Sequence, residues 1–155
     1  MFCARQGADV VCSDINPFSI EIVKKNCMLN KSLLKGKLDI RQGDLYSVLK
    51  NDEFFDIIVF NPPYLPTKSE DVVGGSGWFD KSVDGGVDGL DVVKRFLEGL
   101  SLFLKKNGRG YFVFSSLSSK KKLVSYLSKN KLSYDIVVSQ RFNDEILYVY
   151  CVWLK

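Results

Sequence analysis

The chain has 155 residues and a mass of 17.6 kDa, with 46% apolar and 26% charged residues, enough to bury one core and too little for two. Its 22 Lys and Arg against 18 Asp and Glu leave +4, an excess that neither demands nor excludes a nucleic-acid partner, and the count of 0 His removes imidazole nucleophile pairs, metal ligands and proton shuttles. Cys3, Cys12, Cys27 and Cys151 never reach Cys-x-x-Cys spacing, so they predict buried, reduced thiols in an intracellular protein, with no metal site and no disulfide framework. The apolar stretches are strand-length, below the roughly 18 residues that span a bilayer, and the start lacks a basic region followed by an apolar signal core. These features predict a single domain over 1–155, away from membranes, in the cytoplasm or the nucleus.

Ala8 to Cys12 is a β-branched run that predicts a strand, ended by Ser13-Asp14-Ile15-Asn16-Pro17, where Asn16 suits a helix cap and Pro17 a first helical turn. Ile20, Val23, Cys27 and Met28 recur at helical spacing and predict a helix that buries one face over about three turns. Leu38 to Arg41 reads as a second strand, closed by Gly43-Asp44. Phe54 to Phe60 reads as a third, apolar enough for a strand covered on both faces. It stops at Asn61-Pro62-Pro63-Tyr64. From Leu65 to Gly89 the chain is glycine-rich without a sustained period, and a stretch of more than about 15 such residues is usually a functional lid or a linker. Val92, Val93, Phe96, Leu97, Leu100, Phe103 and Leu104 then predict an amphipathic helix ended by Asn107-Gly108. Tyr111 to Phe114 predicts a fourth strand and Lys121 to Leu127 a short helix. Val137-Val138 and Ile146 to Leu154 predict a closing antiparallel pair, since no helix fits between them.

Strands alternating with helices predict an α/β, Rossmann-like, doubly wound sheet, mostly parallel with an antiparallel C-terminal pair. Ligands in such sheets bind beyond the carboxyl ends of the strands. Asp14-Ile15-Asn16, Gly43-Asp44-Leu45 and Asn61-Pro62-Pro63-Tyr64 each follow a strand, so all three are expected on one edge. Asp14 stands where an acid can accept hydrogen bonds from a ribose hydroxyl pair, and equally where an acid caps a helix. Asp44 can receive an adenine amine or start a turn.

The two prolines after the third strand forbid further pairing and fix the backbone, leaving an amide and an aromatic ring at the sheet edge. The arrangement suits methyl transfer to a planar, conjugated NH₂ group. The Asn61 side-chain carbonyl and the Pro62 backbone carbonyl can accept both amine hydrogens, which places the nitrogen in line with a sulfonium methyl while Tyr64 packs on the planar group. The proton can leave after transfer, so no histidine base is needed.

Phe60-Asn61-Pro62-Pro63-Tyr64-Leu65-Pro66-Thr67 with Glu70, the upstream Asp14-Ile15-Asn16-Pro17 and Asp44-Leu45, and the downstream Gly85-Gly86-Val87-Asp88-Gly89-Leu90 resemble the HemK-type glutamine methyltransferases that modify class I release factors. The resemblance runs from about Ala8 to Leu154, and the longer string is similar to the compact eukaryotic and archaeal branch. It implies a seven-stranded class I methyltransferase sheet and S-adenosyl-L-methionine as cofactor, held by Asp14 and Ile15 at the ribose and by Asp44 and Leu45 at the adenine, with Asn61 at the methyl end. It also implies that Asn61, Pro62, Pro63 and Tyr64 hold the glutamine of a Gly-Gly-Gln loop, the substrate contacts falling on Asn61, Pro62 and Tyr64. Eukaryotic members resemble one another in pairing with a small zinc-binding activator as a heterodimer, and Leu38 to Arg41 is the candidate edge for it.

The family's first strand and glycine-rich loop precede the ribose-binding acid by roughly 20 residues. Only Phe2 to Gln6 stand before the first strand here, so both are expected to be lacking and the domain to be short at its N-terminal end. Lys120, Lys121 and Lys122, with Lys105 and Lys106, read as solvated helix faces, with room for docking a ribosome-associated substrate. Three rival readings accompany the first: an adenine-amine methyltransferase on nucleic acid, a lysine-directed protein methyltransferase, and a catalytically dead partner-binding module. No direct sequence-specific nucleic-acid contact is expected.

Overall fold

A computed structural model describes residues 1–67 and 77–155, which form two compact units, Met1–Lys50 and Asn51–Lys155. The first unit runs from a short helix α1 (Phe2–Arg5) into β1 (Val10–Asp14), α2 (Pro17–Leu29) and β2 (Leu38–Gln42). β1 and β2 pair in parallel from Val10 opposite Leu38 to Asp14 opposite Gln42, so both strands end at the same edge. Pro17 stands at the start of α2 as its fixed φ favours, and the Asn16 side chain accepts the Phe18 N–H. The helix does not bury the face that its spacing predicts. Ile20 is its one fully buried residue, while Phe18, Ile22, Met28 and Leu29 are exposed. Met28 lies about 100° round the helix from Cys27, at the margin of the Ile20–Val23–Cys27 line, so spacing alone overstated it.

The second unit contains β3 (Phe55–Phe60), α3 (Trp78–Val83), α4 (Asp91–Phe103), β4 (Leu104–Ser115), α5 (Lys120–Lys129), β5 (Leu132–Phe142) and β6 (Glu145–Leu154). Its sheet has the order β3-β4-β6-β5, with β3 parallel to β4 and both β4–β6 and β6–β5 antiparallel. The α/β class and the closing antiparallel pair are as the sequence predicts. Antiparallel pairing also reaches β4. Among the described residues no strand precedes β1.

The core of the second unit is built by α4, whose Val93, Phe96, Leu97, Leu100 and Phe103 recur at three- and four-residue spacing and are all buried. Each such side chain contributes on the order of 1.5–3 kcal/mol by leaving water. Phe96 meets Phe60 at 5.0 Å and Phe112 at 6.0 Å in tilted contacts, and Phe112 in turn stacks on Tyr150 at 5.3 Å. This aromatic line fixes the end of β3. β3 is not covered on both faces, however: Ile57 and Val59 are 58% and 73% exposed, because the α4 side chains reach only the Ile58–Phe60 face.

Three further expectations are corrected. A helix, α3, stands inside the glycine-rich stretch expected to be irregular. Asn107-Gly108 does not end α4, which stops at Phe103; Asn107 adopts φ 70 within β4, where the register against β3 shifts. This is bulge geometry, which needs the same left-handed residues as a helix stop. The four cysteines are free, but only Cys151 is buried and Cys3 is exposed. Among the described residues no helix is long and apolar enough to cross a membrane.

Candidate functional site

In the first unit the acids at the strand ends stand side by side. Asp14 closes β1, and its carbonyl accepts the Gly43 N–H at 3.0 Å, which ties the end of β1 to the residue before Asp44. The Asp14 carboxylate accepts the Asn16 N–H at 2.8 Å through Oδ1, and Asn16 passes the cap on to Phe18 at 2.9 Å. Among the described residues Oδ2 of Asp14 has no hydrogen-bond partner. Ile15 is 46% exposed beside it. Asp44 caps the 3₁₀ turn Leu45–Val48, its N–H donating to Ser47 Oγ at 3.1 Å in a reciprocal capping box. Leu45 adopts φ 45, a left-handed conformation that costs an L-residue on the order of 1–3 kcal/mol, strain of a kind that clusters at active sites, ligand clamps and switch regions.

In the second unit the chain leaves β3 at Phe60 and turns through Asn61, which is exposed, Pro62, which is buried, and the half-buried Pro63 and Tyr64. The turn is clamped from two sides. Ser118, itself buried, donates its hydroxyl to the Tyr64 carbonyl. Leu65 N–H donates to Val83 O at 3.0 Å, Gly85 N–H to Leu65 O at 2.9 Å and Thr67 N–H to Gly86 O at 3.0 Å, so the Asp84–Gly89 loop runs alongside as a short splint. The Thr67 hydroxyl donates to Asp84, whose Oδ1 also accepts the Gly86 N–H at 2.8 Å. These two donors hold the Asp84 carboxyl below its ordinary value despite some burial. Gly89 takes φ 71, and a β-carbon there would overlap the Ser118 hydroxyl and the Tyr64 carbonyl oxygen.

Charge around the clamp is uneven. Burial would raise the Asp88 carboxyl, but Lys122 at 3.1 Å and Lys94 at 3.6 Å bring it net below the usual range. Burial first, and the nearby Glu145 carboxylate second, push the Tyr64 phenol up, which keeps the ring neutral. Glu145 Oε1 is buried and, among the described residues, has no hydrogen-bond partner.

Of the residues singled out from sequence, Asp14, Ile15, Asp44 and Leu45 gather at one edge of the first unit, and Asn61, Pro62, Pro63 and Tyr64 form one turn of the second. Glu70 lies outside the described residues. Sequence reasoning passed over Ser118, Asp84 and Glu145. The serine run Ser115-Ser116-Leu117-Ser118-Ser119 directly after a strand was the available signal, since hydroxyls there bond neighbouring backbone.

An α/β chain with acids closing its first two parallel strands and an Asn-Pro-Pro-Tyr turn after the third has the build of a class I methyltransferase. The structure of the Encephalitozoon cuniculi Mtq2–Trm112 complex, described as responsible for methylation of the eRF1 termination factor, matches with a TM-score of 0.57 at 18% identity, over 97% of this chain and 89% of that one. The Thermus thermophilus 16S rRNA N2 G1207 methyltransferase, solved with AdoMet and guanosine, matches with a TM-score of 0.65 at 22% identity, over 98% of this chain and 33% of that one. Both share the fold. Residues 1–75 match the methyltransferase small domain family. A Methanocaldococcus jannaschii protein assigned by name to the protein N5-glutamine methyltransferases is 32% identical over 152 residues, 97% of this chain and 73% of its own length. The chain belongs to the protein N5-glutamine methyltransferase family, whose cofactor is S-adenosyl-L-methionine.

Proposed function

We propose that the chain methylates the side-chain amide of the glutamine in the Gly-Gly-Gln loop of a class I translation release factor, with S-adenosyl-L-methionine as methyl donor. The observation that carries the reading is the clamped Asn61–Tyr64 turn at the carboxyl end of β3. Amide nitrogen is a poor nucleophile, so catalysis depends on positioning rather than on a base. The Asn61 side-chain carbonyl and the Pro62 backbone carbonyl accept the two amide hydrogens and draw electron density toward nitrogen. Pro62 and Pro63 fix the backbone that carries those acceptors, and the neutral Tyr64 ring packs against the planar amide.

The cofactor supplies an activated methyl carbon on sulfonium. The residues of the first unit fit it. Asp14 keeps one carboxylate oxygen uncommitted, as a ribose hydroxyl pair requires, with Ile15 beside it, and Leu45 is held next to Asp44 in a strained backbone suited to gripping an adenine. The same reading gives the chain a small zinc-binding activator as a partner, in a cytoplasmic heterodimer. Among the described residues β2 pairs only with β1, which leaves its other edge open to strand addition from the activator. The similarity to the Mtq2–Trm112 complex, which is described as methylating eRF1, supports a partner protein and a termination-factor substrate.

The test is mass spectrometry of a Gly-Gly-Gln release factor after incubation with cofactor and the chain, with and without the activator. A single methyl group on the glutamine is expected, lost in Asn61→Ala while cofactor affinity by calorimetry is kept. Equal loss of transfer and of cofactor binding in that variant would reduce Asn61 to a structural role.

A further inference from the structure

A shallow groove of about 530 Å³ runs between α4 and α5 in the second unit, lined by Lys94, Lys121, Lys122, Lys129, Ser125 and Tyr126, with Ser119 at one end. Four cations and no acid line it. Lys94 and Lys122 are partly neutralised by Asp88, at 3.6 and 3.1 Å. Tyr126 is held at its hydroxyl by Glu98 at 2.9 Å, which ties α5 to α4 and sets one wall. Among the described residues Lys121 and Lys129 have no acidic partner. They stand eight positions apart on one face of α5, about 12 Å along its axis.

The groove is continuous with the clamp. Ser119 is next to Ser118, which holds the Tyr64 carbonyl, and the Ser119 N–H donates to Asp88 O at 3.3 Å. We propose that this groove docks an acidic segment of the protein substrate, its carboxylates meeting Lys121 and Lys129 while the glutamine is presented at Asn61–Tyr64. The inference rests on the reading of the substrate as a protein. The charge count favours a peptide over a nucleic-acid strand: two uncommitted cations match two or so spaced carboxylates, whereas a continuous phosphate chain would also run against Asp88 and Glu98 at the rim. Lysine ammonium groups suit flexible, monodentate pairing, and the lining offers no arginine fork and only one aromatic ring on which a base could stack.

The experiment titrates a labelled short polyglutamate peptide into the full chain, with a short oligouridylate as competitor, for wild type, Lys121→Glu/Lys129→Glu and the milder Lys121→Ala/Lys129→Ala. Salt-sensitive peptide binding is expected, weakened about tenfold or more by charge reversal and less by alanine, with thermal unfolding unchanged. Methylation of an isolated Gly-Gly-Gln peptide should be equal in all three proteins, while the full release factor shows a raised KM in the reversal variant. Failure of wild type to methylate the isolated peptide would count against the methyltransferase reading, independently of the groove. No peptide binding, equal binding in the reversal variant, or displacement by oligouridylate at lower concentration than by peptide would overturn the groove proposal, the last in favour of nucleic acid.

Discussion

Gly89→Ala probes the clamp through two separate terms. Gly89 sits at φ 71, where an L-residue costs about 1–2 kcal/mol. Its β-carbon would also overlap Ser118 Oγ and the Tyr64 carbonyl oxygen and lie 2.8 Å from Ser118 Cβ. Two of these neighbours belong to the Ser118 side chain, but the third is backbone pinned between two prolines and the Asp84–Gly89 splint, so relief requires the clamp itself to shift. Overpacking of this kind costs about 1–3 kcal/mol. Gly77 supplies the control: its φ is 72, and a β-carbon there meets nothing within 4 Å among the described residues. Gly77→Ala therefore carries the strain alone, and the entropy gained by restricting the unfolded chain is common to both. Urea unfolding of the two variants should place Gly89→Ala about 1–3 kcal/mol below Gly77→Ala, a midpoint difference on the order of 1 M. The Gly89 variant should also lose methyl transfer. Two variants within about 0.3 kcal/mol of each other would refute the claim that Gly89 closes tightly on Tyr64.

The Asp84 carboxyl titrates below its ordinary value, so it contributes stability that is complete above about pH 4 and is lost as pH falls through its folded value. Asp84→Asn should flatten the acid limb of a stability–pH curve followed by fluorescence, and an unchanged limb would show that the Thr67 and Gly86 donors do not favour the charged form. Glu145→Gln removes a carboxylate that has one buried, unpartnered oxygen, and should raise stability by up to about 1 kcal/mol while bringing the Tyr64 phenol back toward its ordinary value by spectrophotometric titration. A lowered melting temperature would show that Glu145 is a structural anchor.

The order of elements was legible because each carries a local signal: the Asn16-Pro17 start of α2, the α4 stripe, and the pair of prolines that must end β3. The burial of α4 followed its stripe, but that of α2 and β3 was not legible, because burial depends on what packs across the chain. Ile57 and Val59 have the composition of a covered strand and lie exposed, and Met28 fits a helical period and points away from it. Asn107-Gly108 shows a different ambiguity, since an Asn-Gly pair with a left-handed residue, here Asn107, reads identically as a helix stop and as a bulge. At the site, the residues of the turn itself were legible from their chemistry, whereas Ser118, 54 positions away from Tyr64, was not. A serine has no period or charge to announce a contact at that separation.

Asp14 shows why a turn-forming aspartate and a ligand-holding aspartate need not be alternatives. Sequence spacing weighs a cap and a ligand role equally, but the structure gives the helix cap to Asn16 and leaves Asp14 the turn before it: Oδ1 accepts the Asn16 N–H at 2.8 Å. Oδ2 remains for a second donor, and a ribose presents two hydroxyls. The two functions therefore separate by substitution. Asparagine accepts the same Asn16 N–H, so Asp14→Asn should unfold within about 0.5 kcal/mol of wild type, yet it offers one acceptor and no charge and should weaken cofactor binding about tenfold or more. Alanine removes both oxygens and with them the bond from the Asn16 N–H, and should cost about 1 kcal/mol of stability as well as the affinity. Calorimetric titration of S-adenosyl-L-methionine beside urea unfolding distinguishes the outcomes. If Asp14→Asn bound cofactor as wild type does, the carboxylate would serve the turn before α2 and nothing more, and the ribose site would have to be sought elsewhere in the chain.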